Sequence, residues 1–115
     1  MVKPRSSRQV LVAGLVLVGL LAVILLPRPA YGWRDLEAAR RAMQAGAYAE
    51  AAAAFQSAAR RLPWQPSRWE QAGEAAYLAA EPQEAIACLQ RAASHEAISA
   101  WGWTYLGMAY QQLGD

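Results

Sequence analysis

Cysteine, histidine and phenylalanine each occur once in this 115-residue chain. A lone Cys88 excludes an intramolecular disulfide, a zinc knuckle and a CxxC redox pair built from this chain alone. It reads better as a small core residue than as a reactive thiol. His95 has only Glu96 beside it, and a solvated histidine at a helix end explains it better than an acid–base pair. Charge is scarce too, at 17% of residues. Glu70 and Glu74 stand four apart on one helix face, but no histidine or second acidic pair joins them at ligand spacing. These absences predict no catalytic residue, no metal site and no cofactor: a non-enzymatic protein. Strand-like alternation is lacking as well, so the fold class expected is all-α.

Basic residues are missing where a nucleic-acid reader would need them. Residues 1–34 carry Lys3, Arg5, Arg8, Arg28 and Arg34 with no acid, whereas residues 35–115 hold six arginines against nine acids. No nucleic-acid partner is expected. What is abundant is apolar surface, 56% of residues. Much of it lies in VLVAGLVLVGLLAVILL, residues 10–26, an uncharged run behind a basic tail at 1–9. As a helix the run spans roughly 26 Å, within reach of a hydrocarbon core. A cleaved signal peptide is the competing reading, with Ala30-Tyr31-Gly32 ahead of Trp33 as the cleavage region; the run is longer than a usual h-region, which favours a retained anchor. A buried core helix is a third reading. The Lys and Arg balance around the run places the N-terminus in the cytoplasm and the rest beyond it, as a single-pass protein, or exported if cleaved. Tyr31 and Trp33 sit where interfacial aromatics anchor a span.

Sliding residues 34–115 against themselves exposes a 34-residue period. Trp69 recurs as Trp103, Gly73 as Gly107, Glu50 as Glu84, Ala51 as Ala85 and Ala58 as Ala92, while Gly46 and Gly114 lie two periods apart with Ala80 between. Helices are expected at about 9–27, 34–45, 48–61, 67–79, 82–94 and 99–113, with Gly46 and Gly114 as left-handed C-terminal residues and Pro82 in a first turn.

The third copy reads Trp103-Thr-Tyr-Leu106-Gly107-Met-Ala-Tyr110, and the first carries Ala51-x3-Phe55, Ala58 and Pro63. This spacing resembles the tetratricopeptide repeat, a helix-turn-helix unit. The middle copy departs at Ala72, Ala76, Pro82 and Ala97. The resemblance implies an array of about two and a half repeats over 34–115, divided at about 32–65, 66–99 and 100–115, behind a transmembrane helix at 10–27 and a linker at 28–33. It implies a repeat core of Phe55, Trp69, Gly73, Trp103, Leu106, Gly107 and Tyr110. It also implies a partner-binding groove on the first helix of each repeat. That groove takes Leu36, Arg40 and Met43 from the first copy; Ser67, Glu70, Glu74, Tyr77 and Leu78 from the second; and Trp101, Thr104, Met108, Gln111 and Gln112 from the third.

The family's carboxylate clamp needs basic and amide residues where this chain has Leu36, Arg40, Gln71, Trp101 and Tyr105, so chaperone-tail binding is not expected. The expected function is that of a bacterial-type, membrane-anchored scaffold whose mixed apolar and acidic groove takes an extended or helical protein segment. Lipid bilayer is the second partner. Alternatives are a small structural subunit of a membrane complex, or an N-terminal fragment of a longer protein. The aromatics of residues 100–113 also invite self-association.

Overall fold

The computed structural model describes residues 6–25 and 27–114. Six helices follow one another: α1 Ser7–Leu25, α2 Pro27–Gln44, α3 Tyr48–Arg61, α4 Arg68–Leu78, α5 Pro82–Ser94 and α6 Ala100–Gln112. No strand occurs among the described residues. The chain is therefore all-helical, as its Ala-rich, alternation-free composition dictates. Its long dimension is 78 Å against 29 and 19 Å across. α1 is long and apolar enough to cross a membrane, and no residue of its Ser7–Ile24 window is buried against the rest of the protein.

The segment read as a linker, 28–33, is helical, because α2 begins at Pro27. Pro27 and Pro29 look like breakers, yet both fall in the first turn, where the missing N–H has no helical partner to lose. The other starts and stops lie within a few residues of the spacing's expectation. α5 opens on Pro82.

The ends of α2, α4 and α5 share one conformation. Gly46 has φ 76°, Ala80 58° and Glu96 53°, and each donates its N–H to the carbonyl three residues back. The next residue reaches five back, Ala47 to Ala42 at 2.8 Å, Glu81 to Ala76 at 2.9 Å and Ala97 to Ala92 at 2.8 Å. This paired bonding satisfies carbonyls that a helix end leaves open. Gly46, Ala80 and Gly114, spaced by the period, are all left-handed, Gly114 at φ 85°. The sequence period is thus also a period of backbone conformation.

Short connections turn each helix back along its predecessor. α2, α4 and α6 therefore run one way, and α3 and α5 the other. One edge of the stack gathers the first turns of α2 with 62–67 and 95–99; the opposite edge gathers 45–47, 79–81 and 113–114. Arg61 at the end of α3 pairs with Asp35, midway along α2, at 2.8 Å, while Leu62 packs against Gly32 nearer the start of α2.

Alanines fill the core, with Leu36, Leu62 and Leu89 as its largest fully buried side chains. Small residues let helices approach. A Cβ on Gly73 would lie 2.5 Å from Cγ of Leu89, and one on Gly32 2.7 Å from Cγ of Leu62. Phe55, Trp69 and Gly73 are buried. Trp69 is flanked by Arg60 of α3 and Arg91 of α5, whose guanidiniums lie 5.9 and 4.5 Å from its ring centroid. Its counterpart Trp103 is 55% exposed, a correction to the expected core. Tyr110 and Gly107 are likewise exposed, and Leu106 is half-buried. The cause is the neighbours available: α4 packs against α3 and α5, whereas α6 has α5 and part of α4. Among the described residues nothing covers its other side, and a Cβ on Gly107 would meet nothing within 4 Å.

Candidate functional site

The α2, α4 and α6 helices present one common face, carrying two open depressions. The first, about 310 Å³, is lined by Arg40, Met43 and Gln44 of α2, Phe55 of α3, and Gln71 and Glu74 of α4. The second, about 380 Å³, lies between α4 and α6 and is lined by Glu70, Gln71, Glu74, Ser99, Trp101 and Tyr105. Gln71 and Glu74 belong to both, so the depressions form one shallow groove crossing three helices.

The groove is built from side-chain bonds between α4 and α6. Glu70 accepts from the backbone N–H of Ser99, and its other oxygen accepts from the Ser99 hydroxyl at 3.0 Å. Ser99 is the N-cap of α6, and its hydroxyl oxygen also accepts from the N–H of Gly102. Glu70 is therefore the anchor of the α6 N-terminus rather than a free groove carboxylate. Tyr105 donates its phenol proton to Glu74 at 3.2 Å. Burial, and then the Glu74 charge, raise the Tyr105 pKa and keep the phenol neutral. The Tyr77 and Tyr105 rings lie 5.5 Å apart at 56°, and the Tyr77 hydroxyl sits 3.8 Å from the Met108 sulfur. This aromatic seam carries the α4–α6 contact.

At the α2 end the character is cationic. Arg68 is held by Gln65 at 2.9 Å and Gln71 at 2.8 Å. Partial burial, and then the Arg40 charge, lower its pKa. Arg40 itself is exposed. The groove is therefore amphoteric, with arginine at one end and tyrosine-held carboxylate in the middle. Glu70 and Glu74 both line it, one of them bonded to Ser99, and Arg40 stands at the α2 end.

The other expected groove residues scatter. Trp101 is 73% exposed at the groove's outer end. Met108 and Tyr77 are half-buried in the α4–α6 seam, and Leu78 is exposed beside it. Thr104 donates its hydroxyl to the Ala100 carbonyl at 3.0 Å within its own helix, and Gln112 is exposed in the last turn of α6. Leu36 is fully buried and lines nothing. Gln44 lines the groove without having been assigned to it, and Tyr105, expected at a clamp position, lines it beside Trp101.

A third depression, of about 290 Å³, lies on the opposite face over Trp69, lined by Gln56, Arg60, Glu84, Ala87, Cys88 and Arg91 as well. Gln56 donates to Glu84 across it at 2.9 Å. Cys88 is buried in its floor. Desolvation first, and the Glu84 charge second, push its thiol up to about 11, so it is no nucleophile at neutral pH. His95 is the exposed C-cap of α5. No cluster of three or more metal-ligating side chains occurs among the described residues. Compared with protein-family models, curated proteins and solved structures, the chain finds no match in any of the three.

Proposed function

We propose that this chain is a membrane-anchored scaffold of the tetratricopeptide type, whose groove over α2, α4 and α6 binds a segment of another protein. The single observation that carries the proposal is the continuity of that groove: two depressions on three helices share Gln71 and Glu74. A shallow, open, amphoteric channel suits an extended or helical segment rather than a small molecule, whose sites are concave and enclosing. Met43 and Trp101 offer apolar contact at its two ends, Gln44 and Gln71 offer amides to a peptide backbone, and Arg40 offers a cation to an acidic side chain. The repeat reading is supported by the left-handed Gly46, Ala80 and Gly114 at the sequence period. The anchor reading is supported by the bare, apolar α1. In this reading the N-terminus is cytoplasmic and the array lies across the membrane from it.

Groove variants test the proposal. Gln71→Arg with Glu74→Arg is expected to abolish co-purification of a partner that Ala87→Arg, on the opposite face, leaves intact. Equal recovery with both would sink the groove as binding surface. The uncovered face of α6 favours a second reading, in which Trp103, Gly107 and Tyr110 receive a helix of a neighbouring subunit. Sedimentation of the solubilised full chain separates them: a concentration-dependent or fixed-ratio assembly supports the subunit reading, and a lone monomer opposes it.

A further inference from the structure

We infer that the stack lies edge-on against the membrane surface, with an aromatic and arginine-bearing edge resting on anionic lipid headgroups. This rests on the reading of α1 as a membrane span. α1 ends at Leu25 and α2 begins at Pro27, so the edge carrying the start of α2 is covalently held at the end of the span. Both other connections on that edge, 62–67 and 95–99, are brought level with it by the alternating helix directions. The close approach of Leu62 to Gly32, and the pairing of Glu70 with Ser99, fix that level.

The edge has the composition of a bilayer interface. Its aromatics are Tyr31, Trp33, Trp64 and Trp101, and all four are exposed, Trp64 at 58%. Each is an amphipathic ring of the type enriched at headgroup depth, with Arg34 and Arg61 over Tyr31 and one side of Trp101 turned to the groove. The cations agree. Arg60 and Arg91 end α3 and α5 at this edge, and Arg34 lies over Tyr31 at 5.7 Å. None of these three pairs with a carboxylate in the described structure, where the ion pairs are Arg41–Glu37 and Arg61–Asp35. The opposite edge is acidic instead, with Glu50, Glu81 and Glu84 at or near the helix starts. Glu96 on the first edge and Arg41 at the end of α2 reduce this contrast without cancelling it, so charge and aromaticity are polarised along the axis that runs away from α1.

The distances also fit. α2 rises roughly 6 Å from Pro27 to Tyr31 at 1.5 Å per residue. One headgroup layer is about 5–7 Å deep, half the difference between the whole bilayer and its hydrocarbon core. With α1 spanning the core and α2 continuing away from it, Tyr31 falls at the headgroup layer and Trp33, roughly 9 Å along, at its outer margin.

Fluorotryptophan NMR of the full chain tests this, in nanodiscs of three parts phosphatidylcholine to one part phosphatidylglycerol doped with a headgroup-labelled paramagnetic lipid. Trp33, Trp64 and Trp101 are expected to broaden while the buried Trp69 stays sharp. Arg60→Gln and Arg91→Gln should each reduce the docked-to-free ratio about fivefold, read at Trp64 and Trp101. Pure phosphatidylcholine should have the same effect. Broadening of Trp33 alone would overturn the edge-on arrangement while leaving the anchor standing. No broadening at any tryptophan, or failure of the chain to enter the discs, would overturn the anchor and this inference with it.

Discussion

Ala80 is where the repeat departs from its own rule. Its φ of 58° puts a Cβ into the left-handed region that Gly46 and Gly114 occupy without one. A non-glycine residue held there costs about 1 kcal/mol or somewhat more. Ala80→Gly is therefore expected to raise stability by about 1 kcal/mol, and Gly46→Ala to lower it by a similar amount, since open space around Gly46 leaves only the backbone to object. Thermal melting of the solubilised chain reads both. Gly73→Ala differs in cause: its Cβ would strike Leu89, so a loss of about 1–3 kcal/mol is expected from overpacking. Cys88 gives a pH prediction. Its folded pKa of about 11 lies above that of an unfolded thiol, so the protonated form is favoured by folding. Stability from this group is fully present below the unfolded pKa and declines as pH rises through it toward the folded one. Alkylation at mildly alkaline pH should be slower than for a free thiol by roughly two orders of magnitude, rising to the free rate on unfolding. A native rate equal to the unfolded rate would contradict the burial.

Among the elements, the order and directions of α3, α4 and α5 were legible because period, small-residue positions and end signals all agreed. Two elements were not. The start of α2 was hidden by Pro27 and Pro29, which periodicity reads as punctuation although a first turn accepts them. The surroundings of α6 were hidden because Trp103, Gly107 and Tyr110 repeat Trp69, Gly73 and Tyr77's neighbour in spacing, and spacing records what a helix offers, not whether another helix covers it. The bond from Ser99 to Glu70 was hidden for a related reason: four-residue spacing to Glu74 shows a shared face, but only the fold brings Ser99 to it. Glu70→Ala should release the N-terminus of α6 and destabilise the chain by about 1–2 kcal/mol. Amide exchange should reveal the same weakness in the native protein. Residues 100–112, packed on fewer neighbours, are expected to exchange faster than 51–92, as an array with nearest-neighbour coupling requires. Uniform protection across α3 to α6 would show that α6 is covered by something else.

At the scale of the molecule, two compositions divide the chain. α1 is apolar from Val10 onward with none of its Ser7–Ile24 window buried, and the remainder buries alanine against leucine in a thin stack. The groove belongs to the stack, and its lining explains why composition alone described it poorly. Arg40 and Gln71 come from separate helices, and Glu70 is bonded to Ser99. In the function proposed above, this groove, held beside a membrane, receives a protein segment. Photo-crosslinking in native membranes tests it most directly, with a photoreactive residue placed in the full-length chain at Gln71 and, separately, at Ala87. The claim requires a discrete protein adduct from position 71, abolished by Glu74→Arg in the same chain, with none from position 87. Adducts of equal yield and identity from both positions, or none from position 71 in membranes where the protein is folded and inserted, would contradict it.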